Sequence, residues 1–382
     1  MKKKIAIFEI EYHLHFVKTL VELIDLNKNS VTIFTTRENL NDLKIYLGNN
    51  IKKVKIKIPK KSLLNFLFSF YKSSNKYDLC FHFSVQSHFL LLPFRYLLFP
   101  KCKTILVTFR VENYLGNLFD KKLKNIGLKL YIINAIFNFI RFQIAKKSNS
   151  IITNGFRDTN ILKKKFLEKS FYEIPYAVNK ETSKYKYKNK ITIGVPGSID
   201  KIRRDYIKIL KFFESLKEFK NEFSLILIGS FSSNKPGVLT KKDKYFNKIV
   251  KEIEILKSKG FDIIYFSKKL SQSEYIKYIK KSDIMLTYMN LDSYMDHGWT
   301  SVYTESIYYN KYLLTNRKNS PKNISFLKNY FSDEISFKKK LKNFKYNKNK
   351  IYNKNRILID KYFGYKKYSI KLSSIIENTI KN

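Results

Sequence analysis

Along the whole chain, short apolar runs alternate with longer segments in which apolar residues recur every three or four positions. The runs IAIFEI, SVTIFTT, KVKIKI, DLCFHFS, TILVTF and SIITNG, all within residues 5–155, predict strands, because β-branched and aromatic side chains fit a pleated, buried surface. Between the first two runs, HFVKTLVELIDLN sets Phe16, Leu20, Leu23 and Ile24 at helical spacing. Strands buried on both faces read as continuous apolar runs, and their alternation with helices is the pattern of parallel sheets with helical crossovers.

Residues 177–190, AVNKETSKYKYKNK, are polar and basic without periodicity and predict a linker. The pattern then restarts. KITIGVPGSID, FSLILIGSF, DIIYFSKKL and DIMLTYM predict strands, separated by helices over IKILKFFESLKEF, residues 242–257 and SEYIKYIKKS. After DIMLTYM comes a turn-rich DSYMDHGW and then VYTESIYYNKYLL, which predicts one continuous helix. Residues 352–380 are helix-capable, and no short internal repeat is present. The expected organisation is a first α/β domain over 1–176, a linker over 177–190, a second α/β domain over 191–350 and a helical tail over 351–382.

A length of 382 residues with 44% hydrophobic side chains suffices for two globular cores. The net charge of +44 adds a question of partners. Lysine clusters at 2–4, 52–61, 121–124 and 338–342 are spread over the chain, which favours a broad anionic surface over a groove that reads nucleic acid. An anionic membrane attracts each well-placed basic residue by about 1 kcal/mol; the bland reading is biased composition with Lys on solvated faces. LLNFLFSFYKS, HFLLLPFRYLLFPK and residues 126–147 mix large apolar side chains with Lys and Arg, as interfacial helices do, and equally suit core helices of the first domain. The N-terminal MKKKIAIFEIEYHLHF carries Glu9, Glu11, His13 and His15 where a signal peptide needs an apolar stretch, so it reads as a first strand. The apolar windows 79–99 and 126–144 are interrupted by polar residues, against spanning helices. Cys80 and Cys102 offer neither a metal spacing nor a disulfide framework, and the expected location is the cytoplasm.

Several strand-end turns carry chemistry. Gly197 and Ser198, followed by Lys201, Arg203 and Arg204, combine a small-residue turn whose N–H groups can approach an anion with guanidinium forks that bind phosphate oxygens. Gly229 and Ser230 close the next apolar run. Glu305, early in the last predicted helix of this domain, suits the two hydroxyls of a ribose, or else a helix cap. His297, Gly298 and Thr300 lie in the loop before it, where small residues allow close backbone approach. In the first half His13 and His15 follow Glu9 and Glu11, His82 ends DLCFHFS, and Arg110 and Glu112 follow TILVTF. His82 and His88 lack companion acids at ligand spacing, no Asp-x-Asp pair follows a strand of the second half, and no P-loop, Gly-x-Gly-x-x-Gly or nucleophile turn occurs.

The run HGWTSVYTE, residues 297–305, resembles the signature of the retaining glycosyltransferases of family 4, with His297 standing where that family has its first glutamate. Ser198 replaces the first phosphate cation of the family pattern and Arg203 or Arg204 stands near the second. Glu11, Tyr12 and His13 resemble its Glu-x-His, without the usual glycine-rich loop before them, and Arg110 stands where relatives often have a histidine. This resemblance implies two Rossmann-like domains facing each other across a cleft, the GT-B arrangement, with a C-terminal helix crossing back to the first. It implies a nucleotide-sugar donor on Gly197, Ser198, Arg203, Arg204, Gly229, Gly298, Thr300 and Glu305, with His13, His82 and His297 on the catalytic side, no metal or other cofactor, and retention of configuration. Charge and apolar segments add a lipid-linked or envelope glycan acceptor at the inner face of a membrane, with no nucleic-acid partner. A catalytically degenerate binding or scaffold protein of the same fold and, less favoured, a nucleic-acid-binding protein are the alternatives.

Overall fold

The apolar runs of the first half form parallel strands β1 (Lys3–Phe8), β2 (Asn29–Phe34), β3 (Lys55–Lys57), β4 (Leu79–Phe83), β5 (Lys103–Val107), β6 (Ser150–Thr153) and β7 (Ser170–Glu173). The computed structural model describes residues 2–11, 13–83, 91–109, 114–115, 128–154, 156–179, 190–197, 199, 204–230, 244–268, 270–289, 300–317 and 324–381. Strand order in this sheet is β3, β2, β1, β4, β5, β6, β7. Helices α1 (Leu14–Leu23), α2 (Arg37–Leu47), α3 (Leu63–Ser73), α4 (Leu92–Leu97), α5 (Leu128–Lys147) and α6 (Phe156–Lys163) lie between the strands. All five residues of β4 are buried, as a central parallel strand requires.

The second half repeats the plan. Strands β8 (Ile191–Pro196), β9 (Phe223–Ser230), β10 (Asp262–Phe266), β11 (Ile284–Thr287), β12 (Tyr312–Thr315) and β13 (Lys328–Tyr330) form a parallel sheet in the order β10, β9, β8, β11, β12, β13. Helices α7 (Tyr206–Glu214), α8 (Lys244–Ser258), α9 (Gln272–Lys281), α10 (Ser301–Tyr308) and α11 (Glu334–Phe363) follow in sequence. One apolar cluster joins Ile193, Leu225, Ile249 and Phe213, and another joins Ile226, Met285, Val302 and Leu313. Each fully buried Leu, Ile or Phe of this kind stabilises the unit by roughly 1.5–3 kcal/mol.

The predicted helix over VYTESIYYNKYLL is instead a helix, a turn and a strand. Asn310 takes a left-handed φ of 48°, the Lys311 N–H donates to the Ser306 carbonyl at 2.8 Å and the Asn310 N–H to Ile307 at 3.4 Å. These are the two bonds of a Schellman stop, with Asn in the place Gly usually takes. The chain is thereby released into β12, whose four residues are all buried.

Two compact units result, one of Met1–Tyr176 with Tyr365–Asn382 and the other of Ala177–Gly364. The anticipated helical tail is thus divided: α11 belongs to the second unit, and α12 (Tyr365–Lys381) belongs to the first. Within the first unit α12 packs against α1, β4 and β5; Ser369 donates to the Leu23 carbonyl at 3.0 Å, and the Ser150 and Thr379 hydroxyls meet at 3.0 Å. At Gly364, between α11 and α12, a Cβ would collide with the Asp360 carbonyl, so only glycine lets the chain pass there. Most of the anticipated linker, residues 180–189, lies outside the described residues. Among the described residues no helix is long and apolar enough to cross a membrane.

Candidate functional site

In an open parallel sheet, the crevice for ligands lies outside the carboxyl ends of the strands, where the strand order reverses. The second unit reverses between β8 and β11: β8, β9 and β10 run to one side, and β11, β12 and β13 to the other. Gly197 follows β8 directly and adopts φ +101°, a conformation costly for any side chain. Its N–H donates to the Ile228 carbonyl at 3.0 Å, which ties the turn to β9. Gly229 lies one residue on, buried as the penultimate residue of β9 and so inside the strand, not after it.

Arg204 is 5% exposed and bridges, antiparallel, to Met289 beyond the end of β11. Its guanidinium donates to the Pro196 carbonyl, and Nη1 lies 3.4 Å from the Tyr206 hydroxyl. A Cβ on Gly197 would fall 2.6 Å from the same Nη1, so the bare glycine makes room for the guanidinium over the turn. Arg204 therefore spans the switch point and places a positive charge at the ends of β8 and β11. Asn316, after β12, holds the same Met289 in a reciprocal pair: the Met289 N–H donates to Oδ1 and Nδ2 donates to the Met289 carbonyl, each at 2.8 Å.

Thr300 is the N-cap of α10, its hydroxyl accepting from the Val302 N–H at 3.3 Å. With Thr300 in that role and Glu305 the fifth residue of the helix, the capping alternative for Glu305 falls away. Glu305 is 1% exposed, and its Oε1 accepts from the Tyr275 hydroxyl of α9 at 3.1 Å. α10 packs against β8, β11 and β12, so the carboxylate is carried by a helix seated on the strands that bound the crevice. Arg317, buried after β12, adds a second guanidinium, with Nη1 3.6 Å from the Met289 sulfur. Burial, and after it the Arg317 charge, bring the Lys328 ammonium down to about 8. Ser198, Arg203, His297 and Gly298 lie outside the described residues.

The first unit reverses between β1 and β4. Here the end of β1 leads to Glu9, Glu11 and His13, and His82 lies within β4. Arg95 of α4, 1% exposed, pairs with Glu11 at 3.5 Å, donates to the Phe83 carbonyl at 2.7 Å and lies 3.5 Å from His82 Nε2. Burial, reinforced by the Glu11 charge, pushes the Glu9 carboxyl up to about 8, so it is mostly protonated at neutral pH. His82 is 2% exposed inside β4, its ring stacked on Phe8 at 5.7 Å, and burial with the Arg95 charge holds it well below the usual histidine range. His13 begins α1 half-buried, its ring stacked on Phe109 at 3.8 Å. His15 instead turns to Tyr46, whose hydroxyl is 2.7 Å from Nε2, and burial brings it down to about 4. Arg110 and Glu112 lie outside the described residues, and among those described no group of three His, Cys, Asp or Glu side chains stands ready for a metal ion.

Sequence reasoning missed Arg95, Tyr275, Asn316, Arg317 and Lys328. A signal existed for Arg95: a lone Arg inside HFLLLPFRYLLFPK is almost never buried without a partner. Tyr275 lay in a helix with no mark to set it apart from the chain's many other tyrosines.

No protein-family model matches the chain. No curated protein matches it either. Solved structures do. HepE of Anabaena in complex with UDP-glucose aligns over 98% of this chain and 99% of its own, with a TM-score of 0.62 at 8% identity. The pneumococcal O-GlcNAc transferase GtfA, in complex with UDP and GlcNAc, aligns over the whole of both chains with a TM-score of 0.63 at 10% identity. A UDP-GlcNAc 2-epimerase from Neisseria meningitidis bound to UDP-GlcNAc also aligns over the whole of both chains, at 0.50 and 13%. At these identities the likeness is one of architecture, and the chain has the GT-B fold of two Rossmann-like units.

Proposed function

We propose that the protein is a nucleotide-sugar-dependent glycosyltransferase of the family-4 type, whose second unit binds the donor and whose first unit receives the acceptor. The observation that carries this reading is the composition of the β8/β11 switch point: a left-handed glycine turn, a guanidinium laid across it, and a helix carrying a buried carboxylate seated on the same strands. A diphosphate meets the turn and Arg204, and the ribose hydroxyls meet Glu305, held in place by Tyr275. Similar solved structures carry UDP or UDP-sugars, which agrees with such a donor.

In the proposed reaction the bond from the sugar to the diphosphate breaks and a bond to an acceptor hydroxyl forms, the hydroxyl proton leaving with the departing diphosphate. Positive charge at the turn stabilises the diphosphate as it departs. Retention of configuration, with His297 and Arg203 beside the sugar and the phosphates, follows the family resemblance. On the acceptor side His13 is the group at the strand ends. His82, enclosed by Phe8 and Phe99, supports that wall instead of meeting the acceptor. The proposed acceptor is a lipid-linked or envelope glycan at the inner face of a membrane, in keeping with the charge of +44.

Thermal-shift titration with UDP-, GDP- and ADP-sugars tests the donor site, because a ligand that binds only the folded state raises its melting point. The expected result is a response to one nucleotide class, lost in Glu305→Ala. Silence toward all three would end the proposal. A second reading has its own support in the Arg204 guanidinium, which already donates to the Pro196 carbonyl: a protein that binds a donor without transferring the sugar. A donor response without nucleotide release in the presence of acceptor extracts would favour it.

A further inference from the structure

Within the first unit, an open cavity of about 480 Å3 lies at the amino-terminal edge of the sheet, the opposite edge from Glu9 and His82. It is lined by Lys101 just before β5, Lys103 at its start, Asn149 just before β6, Tyr71 of α3, Leu97 of α4 and Lys147 of α5, and no acidic residue lines it among the described residues. Two of the ammonium groups are held in place. Lys101 Nζ sits 4.7 Å from the centre of the Tyr71 ring, while Lys147 Nζ sits 3.8 Å from that of Tyr96 and donates to the Tyr96 carbonyl at 3.0 Å.

The helices that supply this lining also expose apolar side chains. On α3, Phe68 is 43% exposed one turn before Tyr71; on α4, Phe94 precedes the 65%-exposed Leu97 by one turn. On α5, Ile132, Ile136 and Phe139 are each about half exposed, at a spacing that puts them on the helix face leading to Lys147. α4 packs against both α3 and α5. A single exposed Leu means little, but exposed apolar side chains on α3 and α4, within one turn of the lining residues Tyr71 and Leu97, give a cavity of ammonium groups an apolar rim.

We propose that this face of the first unit docks on an anionic phospholipid bilayer, the headgroup phosphate entering between Lys101, Lys103 and Lys147 while Leu97 and its exposed neighbours reach the acyl boundary. The occupant is identified by charge complementarity: a phosphodiester supplies the anion that the cavity lacks, and its acyl chains match the apolar rim. This deepens the membrane reading above by naming the surface, and it is independent of donor binding.

Sedimentation with vesicles of phosphatidylcholine alone, or with added phosphatidylglycerol, tests it on the full chain. The expected result is binding only to the anionic vesicles, weakened about a hundredfold by Lys101→Gln, Lys103→Gln and Lys147→Gln together, at about a fivefold loss per basic residue. The same neutralisation at Lys338→Gln, Lys339→Gln and Lys340→Gln, on α11 of the second unit, is expected to cost less than threefold. Leu97→Gln is expected to weaken binding several-fold with no change of net charge. Equal losses from the two triple variants would overturn the proposal in favour of diffuse attraction, leaving the membrane reading intact. No anionic binding at all would overturn both, while the donor response would still stand or fall separately. A thermal shift with inorganic phosphate that depends on Lys101, without vesicle binding, would make the cavity a site for soluble anions and likewise overturn the docking surface. Because the substituted side chains reach solvent, an unchanged melting curve is expected and serves as the folding control.

Discussion

The two units share a plan and differ in how they finish it at the point where the strand order reverses. In the second unit the β8/β11 edge is made of a glycine turn, backbone groups and an arginine, with Glu305 on the helix behind. In the first unit the β1/β4 edge is filled by Phe8, His82, Arg95 and the Glu9 and Glu11 carboxyls, all buried. Backbone turns suit an anion that must come and go. A buried network of charged side chains suits a wall whose shape is fixed. One plan therefore ends in two different arrangements because the strand-end segments, not the sheets, differ.

The largest test of that contrast is Arg95→Leu. Removing the guanidinium leaves Glu11 buried beside Glu9 without its cation, and the expected loss is about 3–5 kcal/mol of stability in the first unit. Denaturant unfolding should show the shift in the first unit's transition alone. If both transitions move together, the two units do not unfold independently.

Next comes a pH effect from Glu9. Its folded pKa, about 8, lies above the ordinary carboxyl value of 4.5. The stability tied to the neutral carboxyl is fully present below pH 4.5 and is lost as pH rises through about 8. Glu9→Gln should flatten the fall in stability between pH 5 and pH 8, a difference on the order of 3 kcal/mol by urea unfolding. An unaltered pH slope would mean that Glu9 is ionised in the native protein.

On the other side, Glu305→Ala should weaken donor binding by about a hundredfold, measured by calorimetric titration, and cost about 1–3 kcal/mol of stability through the Tyr275 hydroxyl left without its acceptor. Gly197→Ala should cost about 1–3 kcal/mol, through the strained φ and the displaced Arg204, and should lower donor affinity with it. The smallest expected effect is Thr300→Ala, about 1 kcal/mol from a lost N-cap, with the donor response preserved.

The strands were legible because a parallel strand buried on both faces has to be apolar throughout: ITIGVP and LCFHF announce themselves. The break between α10 and β12 was not, since YYNKYLL is apolar at both periods and only the backbone of Asn310 decides where the helix stops. Gly197, Thr300 and Glu305 could be picked from their order along the chain, because a turn after a strand and a carboxylate early in the next helix are local patterns. The Arg95–Glu11 pair and the Tyr275–Glu305 hydrogen bond join residues far apart in sequence, and nothing local marks either partner for the other. His82 looked like a strand-end residue, yet it lies within β4, in register with Phe8 of β1, where its ring serves packing.

The return of α12 to the first unit has a consequence for biosynthesis. A ribosome delivers β1 to β7 first, yet the surface made by α1, β4 and β5 stays uncovered until the α12 segment emerges, after all of the second unit. The earlier-made half must therefore wait for the later one, and a nascent chain stalled before Tyr365 would carry a finished second unit and an open first.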